Sequence, residues 1–309
     1  MKKFMSVLIS FVMIISISAA MPFGASAADT AEFSYKLLRD KTAEITGYNG
    51  EGTALDIPSE IDGHTVTSIG NFSFNNNENI TSVSIPDSVK TIGYDAFAGC
   101  INLKSVDIPD SVTEINDRAF GFCFSLTDVK IPASVTSVHG SVFYDCESLT
   151  SITIPEGVES IGGRAFADCD SLTSVNIPDS VTKIWDEAFQ NCKNLTSLTI
   201  PASVEYMGKN AVYGCENATI YVSKDSYAHT YMQENNIEYL LIEDLTIGDT
   251  NGDGKVTVTD ATAIQKHIAK IGPLDAGKIL CADTNKDGKV SVADATKIQK
   301  FLAHLITEL

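Results

Sequence analysis

The sequence predicts a mainly β solenoid followed by a small α-helical domain. Three observations carry this prediction. Ile-Pro recurs at 57, 85, 108, 131, 154, 177 and 200, with a period of 23 residues from 85 onward. A fixed period of this size means stacked coils, each burying its apolar face only against its neighbours. A twelve-residue pattern is then written twice near the C-terminus, at 249–260 and 283–294. Apolar residues return at helical spacing after each copy.

Residues 1–27 read as a secretory signal peptide. Lys2 and Lys3 form the charged start, Phe4 to Ala20 the apolar core, and Ala25-Ser26-Ala27 the small residues for cleavage. No other apolar run approaches a membrane span. No Cys follows the cleavage site to carry a lipid, and no wall-sorting signal closes the chain. The mature protein is therefore expected to be secreted and extracellular, held at a surface only through a partner. The 309-residue chain carries a formal net charge of −18, made more negative when Lys2 and Lys3 leave. That balance argues against nucleic acid or anionic lipid, which need a basic patch. The length suits one large domain, 28–243, and one small one, 244–309.

Within the large domain the fullest unit runs from Cys100 to Phe120. Leu103-x-x-Val106-x-Ile108 is a strand signature, and it returns as Leu126/Val129/Ile131, Leu149/Ile152/Ile154, Leu172/Val175/Ile177 and Leu195/Leu198/Ile200. A second apolar pair follows each Pro, as in Val112/Ile115 and Val181/Ile184. Phe74, Phe97, Phe120, Phe143, Phe166 and Phe189 form a stacked aromatic spine, with Val212 in that place at the end. These units resemble the leucine-rich repeats of the BspA-like bacterial surface family, over about residues 32–243. Phe33 to Ile57 looks like that family's N-terminal cap, and the stretch from Thr219 to Leu240 like its closing cap. Caps are needed because a bare solenoid end is an open sheet edge above an open core.

Six of the seven cysteines belong to the repeat: Cys100, Cys123, Cys146, Cys169, Cys192 and Cys215. Strand spacing of about 4.8 Å would let some neighbours approach bonding distance. Buried free thiols are the expectation, because pairing would distort a regular coil. Cys281 stands alone before the second loop and is expected to pack rather than react.

Two rows should point outward from the strands. They comprise Ser82 and Ser84, Ser105 and Asp107, Asp128 and Lys130, Ser151 and Thr153, Ser174 and Asn176, and Ser197 and Thr199. This concave face is small, polar and flat, and could bind a protein or glycan by hydrogen bonding. The same residues also suit solvent-facing strand positions with no ligand at all. Sugar platforms usually present aromatic rings, and these rows have none; Trp185 and Tyr206 lie elsewhere on the coil. Catalysis has little support. A glycosidase needs two carboxylates across a cleft, whereas Asp87, Asp110 and Asp179 follow Pro at turns. His64, His139, His229, His267 and His304 share no metal-ligand spacing.

The tail carries the sharpest chemistry. Oxygen side chains fall at loop positions 1, 3 and 5, as Asp249, Asn251 and Asp253, then Asp283, Asn285 and Asp287. Gly254 and Gly288 occupy position 6, where the chain must turn sharply. The carbonyls of Lys255 and Lys289 serve at position 7, Thr257 and Ser291 act through water at position 9, and Asp260 and Asp294 close the loops. Each is laid out as an EF-hand calcium loop, so two calcium ions are expected, since carboxylates this close repel one another without a hard cation. Ala261, Ile264, Ile268 and Ile271, and then Ala295, Ile298, Leu302 and Leu305, mark the following helices, with Pro273 stopping the first. Val256 and Val290 are expected to meet where the loops adjoin. The entering helix of a full EF-hand is missing, and Asp replaces Glu at position 12.

Those departures and the duplication make residues 247–306 resemble a type I dockerin. The resemblance implies docking to a cohesin domain of a scaffoldin in a cellulosome. It places cohesin contacts at Val258, Thr259, Lys266 and His267 in the first copy, and at Val292, Ala293, Lys300 and Phe301 in the second. The copies differ where contact is expected, His267 against Phe301 and Thr259 against Ala293, which argues against equivalent binding in two reversed orientations. The expected protein is thus a non-catalytic, secreted adaptor whose repeats bind an extracellular protein or polysaccharide. Alternatives are a cellulosomal enzyme acting on plant polysaccharide through an unrecognised site, and a surface adhesin.

Overall fold

The computed structural model describes residues 32–309 except 273, 275 and 286–288. The segment 1–27, Pro273, and the second-loop residues Asp287 and Gly288 lie outside the described residues. The chain winds as a β-solenoid of about nine turns and then forms a few helices.

Each coil opens on the strand that the Leu-x-x-Val-x-Ile pattern predicts. In the strand Ser105–Asp107, Val106 points inward between two exposed neighbours, and Leu103 and Ile108 are buried on either side. The alternation follows from the two-residue period of a strand. Successive coils pair in parallel without slipping, Val83 to Val106 to Val129, and Ile152 to Val175 to Leu198 to Ile220. After Ile-Pro the chain reverses in a turn, with the Val112 N–H donating to the Pro109 carbonyl at 3.1 Å.

The second apolar pair then forms a strand of its own, such as Glu114–Ile115, in a second parallel sheet. Ile69, Ile92 and Ile115 stack along it, and Val138, Ile161, Ile184 and Met207 continue the line. Two residues are too few to show a strand period, so this sheet exists only because neighbouring coils supply both ladders. Side chains reinforce the stack. Thr150, Thr173 and Thr196 hydroxyls each donate to a backbone carbonyl one coil back, at 3.4, 3.1 and 3.1 Å.

The interior is a column of rings beside a column of sulfurs. Rings from Phe74 to Phe189 stack with centroids 4.8 to 5.8 Å apart and planes within 11° of parallel. Tyr48 and Phe33 extend the spine into the N-terminal cap as tilted contacts. All six ladder cysteines are free and buried. Each S–H donates to the carbonyl of a spine residue in the coil before, from Cys100 to Phe74 at 3.1 Å through Cys215 to Phe189 at 3.0 Å. A small apolar residue would fill the space; Cys fills it and also offers that carbonyl a weak donor, beside the backbone N–H that Phe74, Phe97, Phe143 and Phe189 already accept.

The ends are closed as expected. Phe33–Leu37 runs antiparallel to Ala43–Tyr48, which joins the second sheet beside His64–Ile69. At the far end Thr219–Val222 continues the first sheet, and helix α1, Tyr227–Glu234, buries Ala228, Tyr231 and Met232. Ser226 caps α1 by accepting the His229 N–H at 3.1 Å.

Among its described residues the tail has three helices: α2, Val258–Ile268; α3, Ala276–Ala282; and α4, Val292–Leu302. Ala261, Ile264, Ala282, Ala295 and Ile298 form its core, separate from that of the solenoid, and Val256, Val290 and Leu302 pack against it. Helix α3 carries no period in the sequence long enough to announce it. Ile271 and Leu305 do not extend the helical faces. Both helices end three residues earlier, Lys270 and His304 take left-handed φ values of 58° and 57°, and Ile271 and Leu305 are 75% and 73% exposed.

Candidate functional site

The first loop winds around Asp249. Its Oδ1 accepts the N–H of Gly252 at 2.8 Å and of Asp253 at 3.2 Å, and its Oδ2 accepts the N–H of Gly254 at 2.7 Å. Gly252 and Gly254 make this possible with φ of +78° and +80°, values that cost other residues energy. Asn251 Oδ1 accepts the Asp253 N–H at 2.8 Å, and Asp253 Oδ1 the Lys255 N–H at 2.9 Å.

Asp260 closes the loop and starts the helix at once. Fully buried, its Oδ1 accepts the N–H groups of Thr250 and Asn251 at 2.9 and 3.1 Å, while its Oδ2 accepts the Thr257 N–H at 2.8 Å. Thr257 is the N-cap of α2 in a reciprocal capping box with Asp260. The second loop repeats this. Buried Asp294 accepts from Asn285 N–H at 3.2 Å and Ser291 N–H at 2.9 Å, and Ser291 caps α4. Thr257-x-x-Asp260 and Ser291-x-x-Asp294 are capping signals that the loop reading passed over.

The loop donors are all oxygen, the ligand chemistry of a hard divalent cation, so the residues fit calcium. Among the described residues no three His, Cys, Asp or Glu side chains surround one point; Asp249 and Asp260 are turned onto backbone N–H groups instead. Asp283, Asn285 and Lys289 are described beside them, and Asp287 is not.

The residues assigned to cohesin contact lie at and after the helix starts. Val258 and Val292 are 67% and 63% exposed, and Thr259, Ala293, Lys266 and Lys300 are exposed with them. His267 and Phe301 are half-buried. His267 is already engaged, its Nδ1 accepting the Leu274 N–H at 3.0 Å. Phe301 instead lines an open cleft with Leu302, His304 and Ile306. The equivalent positions of the two copies thus offer different surfaces.

On the solenoid, Ser84, Ser105, Asp107, Asp128, Lys130, Ser151, Thr153, Ser174 and Asn176 are exposed as the rows require, and Ser82 is half-exposed. Ser197 and Thr199 do not continue the open surface. Helix α3 of the tail lies across their strand, Ser197 is 1% exposed, and Thr199 is half-buried. Gly277 permits this approach: a Cβ there would sit 2.0 Å from Tyr221 Oη. The connection is short and pinned at both ends, Glu243 accepting the Lys224 N–H at 2.9 Å and Gly248 donating to the Cys281 carbonyl at 2.8 Å.

The histidines hold structure rather than one another. His64 Nδ1 lies 2.8 Å from the Lys41 carbonyl, and His229 bridges Asp225 N–H and Tyr239 Oη at 3.0 Å each. No helix among the described residues is long and apolar enough to cross a membrane.

Comparison with known proteins agrees with this architecture. A family model described as BspA type leucine rich repeat region matches in six copies over residues 67–188 and 136–253, and one for the dockerin type I domain matches 247–303. A leucine rich cell surface protein from Faecalibacterium prausnitzii A2-165 is 40% identical, with a TM-score of 0.59, over 63% of this chain and 54% of its own. The leucine rich repeat protein of T. pallidum is 31% identical at the same TM-score, covering 68% of this chain and 96% of its own. One from Bacteroides ovatus ATCC 8483 is 29% identical at 0.56, over 62% of this chain and 54% of its own. This chain therefore spans about half the length of two of these relatives. No curated protein matches it. Neither matched domain type is catalytic, and type I dockerins are calcium-binding modules of extracellular cellulosome components that imply a cohesin partner. The chain belongs to the BspA-type leucine-rich repeat family and carries a type I dockerin domain at its C-terminal end.

Proposed function

We propose that this protein is a non-catalytic adaptor, a repeat module over 28–243 joined to a docking module over 244–309. The observation that carries the reading is the twice-built loop, in which buried Asp260 and Asp294 each tie a loop to the first turn of a helix. In the first loop Asp249, Asn251, Asp253, Thr257 and Asp260, with the Lys255 carbonyl, would hold calcium; in the second, Asp283, Asn285, Asp287, Ser291 and Asp294, with the Lys289 carbonyl. Bound calcium supplies the positive charge that lets these carboxylates converge, so loop closure and folding share one free energy. The chain's own part is to aim α2 and α4. Val258, Thr259, Val292 and Ala293 stand on their first turns, with Lys266, Lys300 and Phe301 further along, as the face for a cohesin. The open rungs from Ser82 to Asn176 are the surface for an extracellular protein or polysaccharide.

Calorimetric titration of the full chain with scaffoldin cohesins, in calcium and then in chelator, tests this. Tight binding lost in chelator is the expected result. Calcium uptake with no cohesin binding would sink the adaptor reading. The likeness to a leucine rich cell surface protein favours adhesion as a second reading, and binding to a host or bacterial surface protein without any cohesin would support it.

A further inference from the structure

The two loops differ at the residue that follows their shared Asn, and that residue matters for covalent chemistry. Asn251 is followed by Gly252, whereas Asn285 is followed by Lys286. A backbone nitrogen that follows Asn can attack the side-chain amide and close a succinimide ring. A side chain on the attacking residue crowds that closure, and glycine has none. Asn251 and Gly252 are both exposed. Nothing lies within 4 Å of where a Gly252 Cβ would be, so water reaches this dipeptide freely.

In the closed loop both reacting groups are committed elsewhere. The Gly252 N–H donates to Asp249 Oδ1 at 2.8 Å. Losing its proton there would set an amide anion against a carboxylate, two negative charges in contact. The Asn251 side chain is clamped as well. Its Oδ1 accepts the Asp253 N–H at 2.8 Å, and its Nδ2 donates to Asp253 Oδ2 at 3.1 Å and to Thr259 Oγ1 at 3.2 Å. The last bond has no counterpart in the second copy, where Ala293 replaces Thr259. A closed loop and a reacting Asn251 are therefore alternatives, linked by local opening.

We propose that Asn251 is a modification site, converted through a succinimide to isoaspartate when the first loop opens, and that calcium shields it by holding the loop shut. The shielding rests on the calcium reading of the loops given above. The Gly252 nitrogen loses its proton and attacks Asn251 Cγ. A bond forms between them, the Cγ–Nδ2 bond breaks, and Nδ2 leaves as ammonia, taking that proton with it. Water then opens the ring, with no change of oxidation state. Attack at the Asn251 backbone carbonyl carbon gives isoaspartate, and attack at Cγ gives aspartate. Isoaspartate lengthens the backbone by a carbon inside the loop, so the oxygens of Asp249 and Asp253 lose their spacing. The first site is thus spent by time without calcium, and the second is not.

The test is prolonged incubation of the native full chain in mildly alkaline buffer, with calcium or with chelator, followed by peptide mapping of isoaspartate. In chelator isoaspartate should accumulate at Asn251 and not at Asn285. Calcium at about 100 times its Kd should slow conversion of Asn251 by up to about 100-fold, the factor by which such a ligand disfavours the open loop. Asn49, in the chain's other Asn-Gly pair, lies in the N-terminal cap and should convert at one rate in both buffers. Gly252→Lys gives the first loop the residue of the second and should suppress conversion at Asn251. An unmodified Asn251 in chelator, conversion of Asn285 at the same rate, or undiminished conversion in Gly252→Lys would overturn the proposal. Calorimetry of the fresh chain with calcium separates the remaining outcomes. If calcium binds, an equal rate at Asn251 in both buffers, or Asn49 slowing in step with it, would remove the shielding. If calcium does not bind, the metal reading of the loops fails and the shielding with it, and the chelator results alone decide Asn251.

Discussion

Solenoid and tail are both built by internal duplication, yet they draw stability from opposite sources. The solenoid stacks a hidden column of Phe rings against thiols, so each added coil buries more apolar surface. Among its described residues the tail closes on a core of small and medium side chains, Ala261, Ile264, Ala282, Ala295 and Ile298. Such a core is too small to hold three helices in water unaided. Its order comes from polar tethers, with buried Asp260 and Asp294 holding loop and helix together. Duplication therefore predicts architecture without predicting what stabilises it.

Removing calcium should separate the two regions most sharply. A cation that binds only the folded loop adds about 3–4 kcal/mol per site when present at about 100 to 1,000 times its Kd. Chelator is expected to melt α2 and α4, seen as lost helical circular dichroism and lost amide protection over 249–303, while the coils keep theirs. Equal loss in both would mean the tail and solenoid share one cooperative unit.

Phe143→Ala acts on the other side of the comparison. It opens a void in the middle of the spine, where the ring is fully buried between Phe120 and Phe166. The expected cost is about 3–5 kcal/mol, read as a lower denaturation midpoint for the solenoid with calcium affinity of the tail unchanged.

Gly277→Ala tests the seam between them. Alanine would ordinarily favour a helix over glycine by about 1 kcal/mol. Here its Cβ collides with the Tyr221 ring, so a net loss of about 1–3 kcal/mol at the contact is expected. Hydrogen exchange should quicken in Ser197–Ile200 as α3 lifts away, and unchanged exchange there would mean that the seam contributes nothing.

The smallest effect, taken thiol by thiol, is one of pH. Buried ladder thiols have raised pKa values, to about 12 for Cys100 and Cys169. Below the ordinary thiol range both folded and unfolded states hold the proton, and the contribution is fully present. Above it the unfolded chain releases protons that the native chain keeps, so stability falls as pH rises toward about 12 for these two. Each such thiol costs up to about 1.4 kcal/mol per pH unit there; Cys215, shifted downward, acts in the opposite direction. Denaturant titrations under reducing conditions at neutral and alkaline pH should show the solenoid losing more than the calcium-loaded tail.

Particular residues show how far the candidate sites could be read in advance. Asp249 and Asp260 stood out because loop spacing is a local signal, repeated once for confirmation. The capping role of Asp260 was equally local but hidden beneath its expected role as a ligand. Ser197 was misplaced in the open row because its own repeat looks like the others; what covers it comes from a helix some eighty residues further on. Cys215 likewise matches its five predecessors in sequence, yet it is 7% exposed where they are wholly inaccessible, because the coil beyond it gives way to the cap.

Period and spacing by themselves determined the coils, the Phe spine, the column of cysteines and the paired loops, because every one of these is a short pattern whose copies carry the same information; the caps, which have no copies, were legible only through the resemblance to BspA-like repeats. Tertiary structure decided the second sheet, the thiol-to-carbonyl bonds and the seat of α3 over Ser197. Each depends on which coil or helix comes to lie next to which, and burial against a distant neighbour leaves no mark in any single window of the chain.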